Sequence, residues 1–221
     1  MCGRFVSYRK LEELYQYFPI DHTECEVEAS YNIAPTQEIL VISQQDGKNI
    51  LNRFRWGLVP GWAKDKSIGN SLINARSETI STKHSFRNTF KRRRCLIPAN
   101  GFFEWKVIEK RKHPYYFTVS DESPFVFAGL WEIWNGENES GYRSCTIITT
   151  DASESVIPVH HRMSVILKPE CYDPWLDTKL QDAAEIQNIF QTGMVTELSF
   201  RPVSQQVNSV RNNRPENIEG I

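Results

Sequence analysis

The middle of the chain reads Tyr115-Tyr116-Phe117-Thr118-Val119-Ser120-Asp121-Glu122-Ser123-Pro124-Phe125-Val126-Phe127-Ala128. Its two outer parts consist mainly of aromatic and β-branched residues, which favour strands. The Ser, Asp and Pro residues between them are turn formers. This stretch therefore predicts two short buried strands separated by a turn.

The same pattern recurs on both sides of this stretch, at residues 39–42 and 146–149, where apolar runs are again bounded by turn formers. Helical spacing of apolar residues is confined to a few places, namely residues 9–18, 153–156, 170–176 and 183–190. Helices are therefore few and spread among many strands. The sequence predicts an α+β fold, a curled and mostly antiparallel β-sheet with a few peripheral helices.

Length and composition set further expectations. The chain has 221 residues, 40% of them hydrophobic and 24% charged, which is typical of one globular domain with a real core. We expect a single domain over residues 1–221, with an extended polar tail from about residue 208. No apolar run is long enough to span a membrane and no signal-peptide pattern is present, so we expect a cytoplasmic protein. We also expect a monomer.

The cysteines give no sign of a disulfide framework or a zinc site. There are five, an odd number, and none forms a C-x-x-C pair; they are Cys2, Cys25, Cys95, Cys145 and Cys171. We therefore expect reduced thiols, no metal and no cofactor.

The formal net charge of -1 excludes a general polycation, but the charges are unevenly distributed. Residues 83–94 contain Lys, Arg and His with two interleaved phenylalanines and no acid. Such a run is typical either of a phosphate-facing surface or of a solvated helix face, and the sequence leaves both open. The compensating acids lie in residues 24–28 and around residues 137–139.

The chain begins Met1-Cys2-Gly3-Arg4-Phe5. Loss of Met1 would leave Cys2 with a free α-amine beside its thiol, and these groups titrate at roughly 8 and 8.5 in model compounds. The amine of such a 1,2-aminothiol condenses with an aldehyde, and the sulfur then closes a five-membered thiazolidine. An incidental cysteine at a frayed terminus is the alternative, because reactivity depends on surroundings that one position does not show.

Two aromatic segments combine rings with turn formers, as do loops that present rings to a ligand: Tyr31-Asn32-Ile33-Ala34-Pro35 and Arg55-Trp56-Gly57-Leu58-Val59-Pro60-Gly61-Trp62. Packing of the rings beneath loops is the alternative. A third segment, residues 73–79, places Asn74, Arg76 and Glu78 at alternating positions, which share one face in extended backbone.

Two further segments carry titratable groups. In Ala99-Asn100-Gly101-Phe102-Phe103-Glu104-Trp105, large rings flank a single acid, and burial among them would raise the pKa of Glu104 toward the range useful for proton transfer. An exposed acid on a strand is the alternative. Pro158-Val159-His160-His161-Arg162-Met163 supplies two adjacent imidazoles, of which we expect at most one to face a pocket.

These segments, in this order, resemble the SOS-response-associated peptidase family, whose members shield abasic sites in single-stranded DNA by covalent crosslinking. The matching motifs are Met-Cys-Gly-Arg-Phe, Tyr-Asn-x-Ala-Pro, Trp-Gly-x-x-Pro-Gly-Trp, Asn-Ala-Arg-x-Glu-Thr, Gly-Phe-Phe-Glu-Trp and His-x-Arg-Met. The resemblance covers essentially the whole chain. One departure is Ser164, which stands where the family frequently has proline and which we expect to affect only loop rigidity.

The resemblance implies a barrel-like fold with one active groove, in which Cys2 is freed by loss of Met1 and reacts with abasic sites. It also implies that Asn74, Glu104 and His160 surround Cys2 as catalytic residues. On that basis we assign sugar-ring opening to His160, orientation of the amine and sugar to Asn74, and proton transfer during water loss and ring closure to Glu104.

The resemblance further implies a DNA-binding set and a partner, single-stranded DNA that contains abasic sites. Arg4 and Arg76 match phosphate contacts of the family, and Pro35 and Trp62 match loop positions that hold the splayed strand. Arg162, in the His-x-Arg-Met motif, completes the expected DNA-binding residues.

Two other functional classes remain to be considered. An amidotransferase with an N-terminal nucleophile also begins Met-Cys-Gly, but its other glutamine-pocket motifs are missing and Asn135-Gly136-Glu137 is only a partial match. A noncovalent nucleic-acid binder would make Cys2 a bystander. A denaturing gel separates these readings, since only a covalent adduct survives it.

Overall fold

A computed structural model describes residues 2–136 and 139–221 of the chain. The strands are β1 (Phe5–Ser7), β2 (His22–Thr23), β3 (Ser30–Ile33), β4 (Glu38–Gln45), β5 (Lys48–Trp56), β6 (Asn74–Arg76), β7 (Arg94–Ala99), β8 (Gly101–Ile108), β9 (Arg111–Val119), β10 (Phe125–Trp134), β11 (Tyr142–Asp151), β12 (Arg162–Ser164), β13 (Ile166–Leu167) and β14 (Leu198–Pro202). The α-helices are α1 (Leu11–Tyr17), α2 (Arg87–Arg92), α3 (Tyr172–Leu176) and α4 (Ala183–Thr192). Short 3₁₀ helices span Lys66–Ser71, Pro169–Cys171, Gln205–Asn208 and Pro215–Ile218.

The strands form two sheets. The smaller has the order β14-β9-β8-β1-β3 and its pairings are antiparallel. The larger follows β12-β11-β10-β7-β4-β5-β2, and an additional parallel pairing joins β11 to β5. That pairing closes β11, β10, β7, β4 and β5 into a ring, as a barrel requires. The predicted α+β fold with a curled, mostly antiparallel and barrel-like sheet is therefore confirmed.

The individual elements follow the sequence pattern in most places. The apolar runs lie in β4, β9, β10 and β11, and each strand extends beyond the run that predicted it. The predicted helices correspond to α1, α3 and α4. The prediction for residues 153–156 is wrong: the backbone forms turns there, with Val156 N–H donating to Ser153 O.

The aromatic core fixes the beginning of the chain. Phe5, on β1, makes edge-to-face contacts with Trp56 at 5.3 Å and with Phe127 at 5.7 Å between ring centroids. All three rings are buried, and the cluster they form also includes Cys2. Aromatic side chains contribute much of the apolar area that a core buries. These contacts therefore hold the segment that follows Cys2 in one place.

The basic run at residues 83–94 divides between surface and interior. Lys83, Arg87 and Arg92 are exposed, whereas Arg94 is only 2% exposed. The guanidinium of Arg94 donates five hydrogen bonds to backbone carbonyl oxygens, those of Phe90, Lys91, Trp175, Asp177 and Leu180. Burial lowers its pKa to about 10, so it stays charged at neutral pH. Arg94 is thus a structural cation that ties α2 to α3.

Replacing Arg94 should destabilise the protein strongly. Arg94→Met leaves buried carbonyl oxygens without donors, and each such group costs about 1–3 kcal/mol, so we expect the free energy of unfolding to fall by about 3 kcal/mol or more. Urea denaturation measures the change. Arg92→Met, an exposed control two residues away at the end of α2, should alter it by less than about 0.5 kcal/mol. Equal effects of the two substitutions would contradict this role.

The last residues pack against the smaller sheet. Asn217 is buried, and its side-chain amide donates to Asn212 O at 2.6 Å. Arg201 Nε on β14 donates to Ile218 O at 3.0 Å.

Among the acids expected near residue 139, Glu139 pairs with Lys66 at 2.8 Å, and Glu137 lies outside the described residues. Within the described residues, no helix has both the length and the apolar character that a membrane span needs.

Candidate active site

Cys2 lies just before β1. While Met1 is still attached, the Cys2 side chain is fully buried. Its thiol Sγ approaches Arg4 O at 4.0 Å, and its main-chain carbonyl oxygen accepts a hydrogen bond of 2.9 Å from Asn74 Nδ2. Asn74 comes from β6, which pairs with β11 in the larger sheet. A side chain of the larger sheet therefore holds the beginning of the smaller one.

The second amide atom of Asn74 is available for chemistry. Asn74 Oδ1 is buried and accepts no hydrogen bond from the described residues. Because Oδ1 and Nδ2 share one carbon, Oδ1 lies beside the Cys2 main chain. A buried acceptor of this kind favours a donor such as an amine or a sugar hydroxyl.

Glu104 supplies a buried carboxyl group. It lies on β8, next to β1, and is 4% exposed. Burial raises its pKa to about 7, although a hydrogen bond from the Trp105 backbone lowers it. At neutral pH the carboxyl is thus divided between its protonated and ionised forms and is suited to both donate and accept a proton.

The Cys2 thiol is not an activated thiolate. Burial, together with the negative charge of Glu104, raises its pKa to about 12. The side chain of Ser164, on β12, lowers the pKa of the thiol and so lies near it. Ser164 Oγ is buried and makes no hydrogen bond within the described residues. The expectation that Ser164 affects only loop rigidity stays a prediction.

His160 and His161 stack with ring centroids 4.5 Å apart. His160 is half-buried, which lowers its pKa, and His161 is exposed. The Nδ1 atom of His160 lies 3.0 Å from both the N–H and the carbonyl oxygen of Arg162. Nδ1 thus accepts from the N–H when unprotonated and donates to the carbonyl when protonated. The ring keeps a partner in either state without moving.

Arg162 is engaged by protein acceptors. It is 8% exposed, and its Nη1 atom lies 2.6 Å from Glu78 and 2.7 Å from Asp151. Its Nη2 atom donates to Glu78 and to Thr149 O. Glu78 is in a turn after β6 rather than on the strand, so it does not share a strand face with Asn74 as the alternation predicted.

The other expected DNA-binding residues lie at the surface or close to it. Arg76 is exposed at the end of β6 and makes no ion pair within the described part of the chain. Pro35 is half-buried between β3 and β4. Trp62 is 52% exposed and its ring centroid lies 4.8 Å from that of His84 in the basic run. An exposed tryptophan beside basic residues is typical of a surface that binds single-stranded nucleic acid.

Arg4 is held by residues that the sequence did not assign to the site. Its Nη1 atom donates to Asn32 Oδ1 and to Val207 O, both at 2.7 Å. Asn32 belongs to the Tyr-Asn-x-Ala-Pro motif, but Val207 lies near the other end of the chain, and no local pattern connects the two. Among the described residues, no group of three or more His, Cys, Asp or Glu side chains is arranged to hold a metal ion.

Fold and site together define a barrel-like α+β protein with a buried cysteine in its second position. A model of the SOS response associated peptidase (SRAP) family matches residues 1–210, and the chain belongs to that family. It is 42% identical over 222 residues to "Abasic site processing protein YoqW" of Bacillus subtilis, with 99% of each chain covered. It is 30% identical over 230 residues to "Abasic site processing protein YedK" of Escherichia coli, with 100% of each covered. A crystal structure of a Bacteroides thetaiotaomicron protein, 25% identical, covers 100% of both chains with a TM-score of 0.85.

Proposed function

We propose that this protein processes abasic sites in single-stranded DNA by forming a covalent thiazolidine crosslink through Cys2 after loss of Met1. The observation that carries the proposal is the set of contacts around Cys2. Asn74 binds its main chain at 2.9 Å, and the charge of the buried Glu104 acts on its thiol. The names of YoqW and YedK support abasic sites as the substrate class.

The chemistry balances as the loss of one water. The Cys2 amine attacks C1′ of the ring-opened sugar aldehyde, and the resulting carbinolamine expels water to give an imine. The thiol sulfur then adds to the same carbon, its proton leaves, and the former imine nitrogen gains a proton. The product is a thiazolidine with the sugar carbon bonded to both sulfur and nitrogen.

The surrounding residues supply the proton transfers and the orientation that these reaction steps need. Since the pKa of the thiol is about 12, ring closure needs a base, and Glu104 with a pKa of about 7 takes that proton and returns it to nitrogen. Asn74 orients the amine and a sugar hydroxyl through its buried Oδ1. His160 moves the proton that opens the sugar ring, using the two partners available to Nδ1.

The DNA strand follows the basic and aromatic surface around this site. Arg4 and Arg76 bind the phosphates beside the lesion, while Pro35 and Trp62 hold the neighbouring bases apart. We assign Arg162 two connected roles, a phosphate contact and the support of His160, and DNA binding then requires a rearrangement of its ion pairs with Glu78 and Asp151. The unit that acts is a monomeric single domain.

Two side reactions follow from the same groups. An imine at C1′ acidifies the neighbouring sugar carbon, so slow β-elimination at the 3′ side gives weak lyase activity. The peptidase in the family description fits self-removal of the residue before Cys2.

A denaturing gel tests the proposal. The protein is incubated with a single-stranded oligonucleotide that carries one abasic site, and a band shift that survives denaturation is expected. A shift seen only on a native gel would leave a noncovalent binder, and glutaminase activity without any shift would favour the amidotransferase.

Single strands should react faster than duplexes. Pairing and stacking hide C1′ from a reactive group at the bottom of a groove, so we expect slower crosslinking of an abasic site within a full duplex. Noncovalent capture should also weaken with salt, because Arg and Lys contacts to phosphate release counterions. Rates are measured by quenched time courses on the two substrates. Equal rates would contradict a groove that takes only a splayed strand.

Glu104→Gln should slow crosslinking while leaving DNA binding nearly unchanged. The amide keeps the shape and hydrogen bonding of the carboxyl but exchanges no proton, and general acid–base assistance is worth about 10²–10⁴-fold. The base form of Glu104 is needed, so the wild-type rate should fall as the pH drops through about 7. That inflection should vanish in Glu104→Gln, while the inflection of the α-amine remains. An unchanged pH–rate profile would assign the proton transfer to another group.

A further inference from the structure

Asn32, on β3, has its side chain fully engaged in a buried network. It is 1% exposed, and its Oδ1 atom accepts from Arg4 Nη1 at 2.7 Å. Its Nδ2 atom donates to three carbonyl oxygens of the C-terminal segment, Val207 at 3.3 Å, Ser209 at 3.0 Å and Asn212 at 2.6 Å. These partners fix the orientation of the amide, because only oxygen accepts and only nitrogen donates. Asparagine is thus required at this position, because aspartate has no N–H group to donate to these carbonyl oxygens.

The network holds Arg4 without neutralising it. Arg4 Nη1 donates to Val207 O as well as to Asn32, and the guanidinium lies 5.8 Å from the ring centroid of Trp105. The Trp105 indole is itself fixed by Asn208 Oδ1 at 2.7 Å. Within the described residues, no carboxylate lies within ion-pair distance of Arg4. The three partners that form this cradle are therefore neutral: the Asn32 side chain, the Val207 carbonyl and the Trp105 ring.

Arg9 and Arg162 have a different environment. Arg9 pairs with Glu13 at 2.7 Å, and Arg162 pairs with Glu78 at 2.6 Å. Their charges are compensated by protein carboxylates. Among these three, only Arg4 lacks a carboxylate partner within the described residues, and the hydrogen bonds it makes there use Nη1. A fixed, uncompensated guanidinium with free donors is well suited to bind a phosphate oxygen.

We propose that Asn32 is a positioning residue, which together with the C-terminal segment at residues 205–217 holds Arg4 ready for a DNA phosphate next to Cys2. The inference rests on the proposed function and adds to it a role for the far end of the chain. The neutral partners orient the guanidinium but do not neutralise it, so its positive charge can pair with a DNA phosphate. The C-terminal segment is then part of the DNA-binding site, although it provides only backbone and indole-fixing contacts.

The test compares Asn32→Asp with wild type in noncovalent binding. The probe is a single-stranded oligonucleotide with a tetrahydrofuran abasic analogue, which has no aldehyde, and anisotropy gives Kd at several salt concentrations. Aspartate would neutralise Arg4, so we expect about tenfold weaker binding at physiological salt. The slope of log Kd against log salt should fall by about 0.7, the value of one phosphate contact on a single strand.

Two further variants separate positioning from general damage. Arg4→Ala should reproduce the loss of slope, and adding Asn32→Asp to it should cost nothing more. Asn213→Ala is the matched control, since Asn213 ties the same segment to Ser30 and Tyr31 but does not touch Arg4. It should keep the wild-type slope. An unchanged slope in Asn32→Asp, an additive double variant, or an equal loss in Asn213→Ala would each overturn the inference.

Stability is checked by urea denaturation of every variant. Should Asn32→Asp fail to fold, Asn208→Ala tests the cradle through Trp105, with binding about threefold weaker at an unchanged salt slope; wild-type binding by that variant overturns the inference. The two proposals fail separately. Salt-dependent binding without a denaturation-resistant adduct on true abasic DNA would refute the crosslink and leave Asn32 assigned. A denaturation-resistant adduct together with salt-independent binding of the analogue by wild type would refute the role of Asn32 and leave the crosslink.

Discussion

We expect Cys2→Ala to abolish the proposed adduct that survives denaturation. No other side chain in the site offers an amine and a thiol on adjacent carbons, and alanine at the second position lacks the sulfur that closes the ring. The α-amine of alanine still forms an imine, but water reverses it. The yield of adduct on a denaturing gel should therefore fall below detection, the largest effect expected of any single substitution in this chain.

Two further variants separate the role of the Cys2 amine from that of its thiol and control for the loss of a cysteine elsewhere. Cys2→Ser keeps the amine and should give an adduct only when borohydride reduces the imine. Cys25→Ala is the control, because Cys25 has a free, half-buried thiol remote from the chain terminus, and its loss should leave the yield unchanged. Full yield from Cys2→Ala would refute crosslinking through Cys2. An intact mass showing Met1 on the crosslinking protein would refute the role of the amine.

The sequence predicted the strands that have continuous apolar runs. It did not predict β8, the strand that carries Glu104 of the candidate site. β10 and β11 lie inside the larger sheet, so both of their faces are buried and their runs are plain. On β8, Phe102 faces one core cluster and Phe103 another. Both rings are core residues, so this regular strand presents Glu104 as a buried acid rather than the exposed one that the sequence left open.

The site was predictable where a motif is local and unpredictable where its parts come from distant segments. Burial of Glu104 among aromatic rings correctly indicated a raised pKa. The partners of Arg162 and Arg4 were not foreseen, because Glu78 and Val207 lie 84 and 203 residues from them in the chain. Only the closed barrel and the returning C-terminal segment bring these groups together.

His160→Ala should slow both the formation of the crosslink and its release. Ring opening requires proton transfer at a sugar hydroxyl, and a half-buried imidazole with a lowered pKa is mostly neutral at pH 7 and ready to accept that proton. By microscopic reversibility, the group that assists ring opening also assists ring closure when the adduct reverts. Each rate should therefore fall by about 10²–10⁴-fold, which leaves a crosslink that forms slowly but lasts longer.

The adjacent imidazole provides the control for this prediction. His161 stacks on His160 at 4.5 Å but is exposed, and it lacks the contact of Nδ1 with the Arg162 backbone that supports either protonation state. A time course of adduct formation, followed by a chase with excess unlabelled abasic oligonucleotide, gives both rates for each variant. His161→Ala should change them by less than about tenfold, since it removes the ring stacked on His160 but no proton-transfer step. Wild-type rates in His160→Ala together with slow rates in His161→Ala would reverse the assignment, because the exposed ring would then be the one that reaches the sugar.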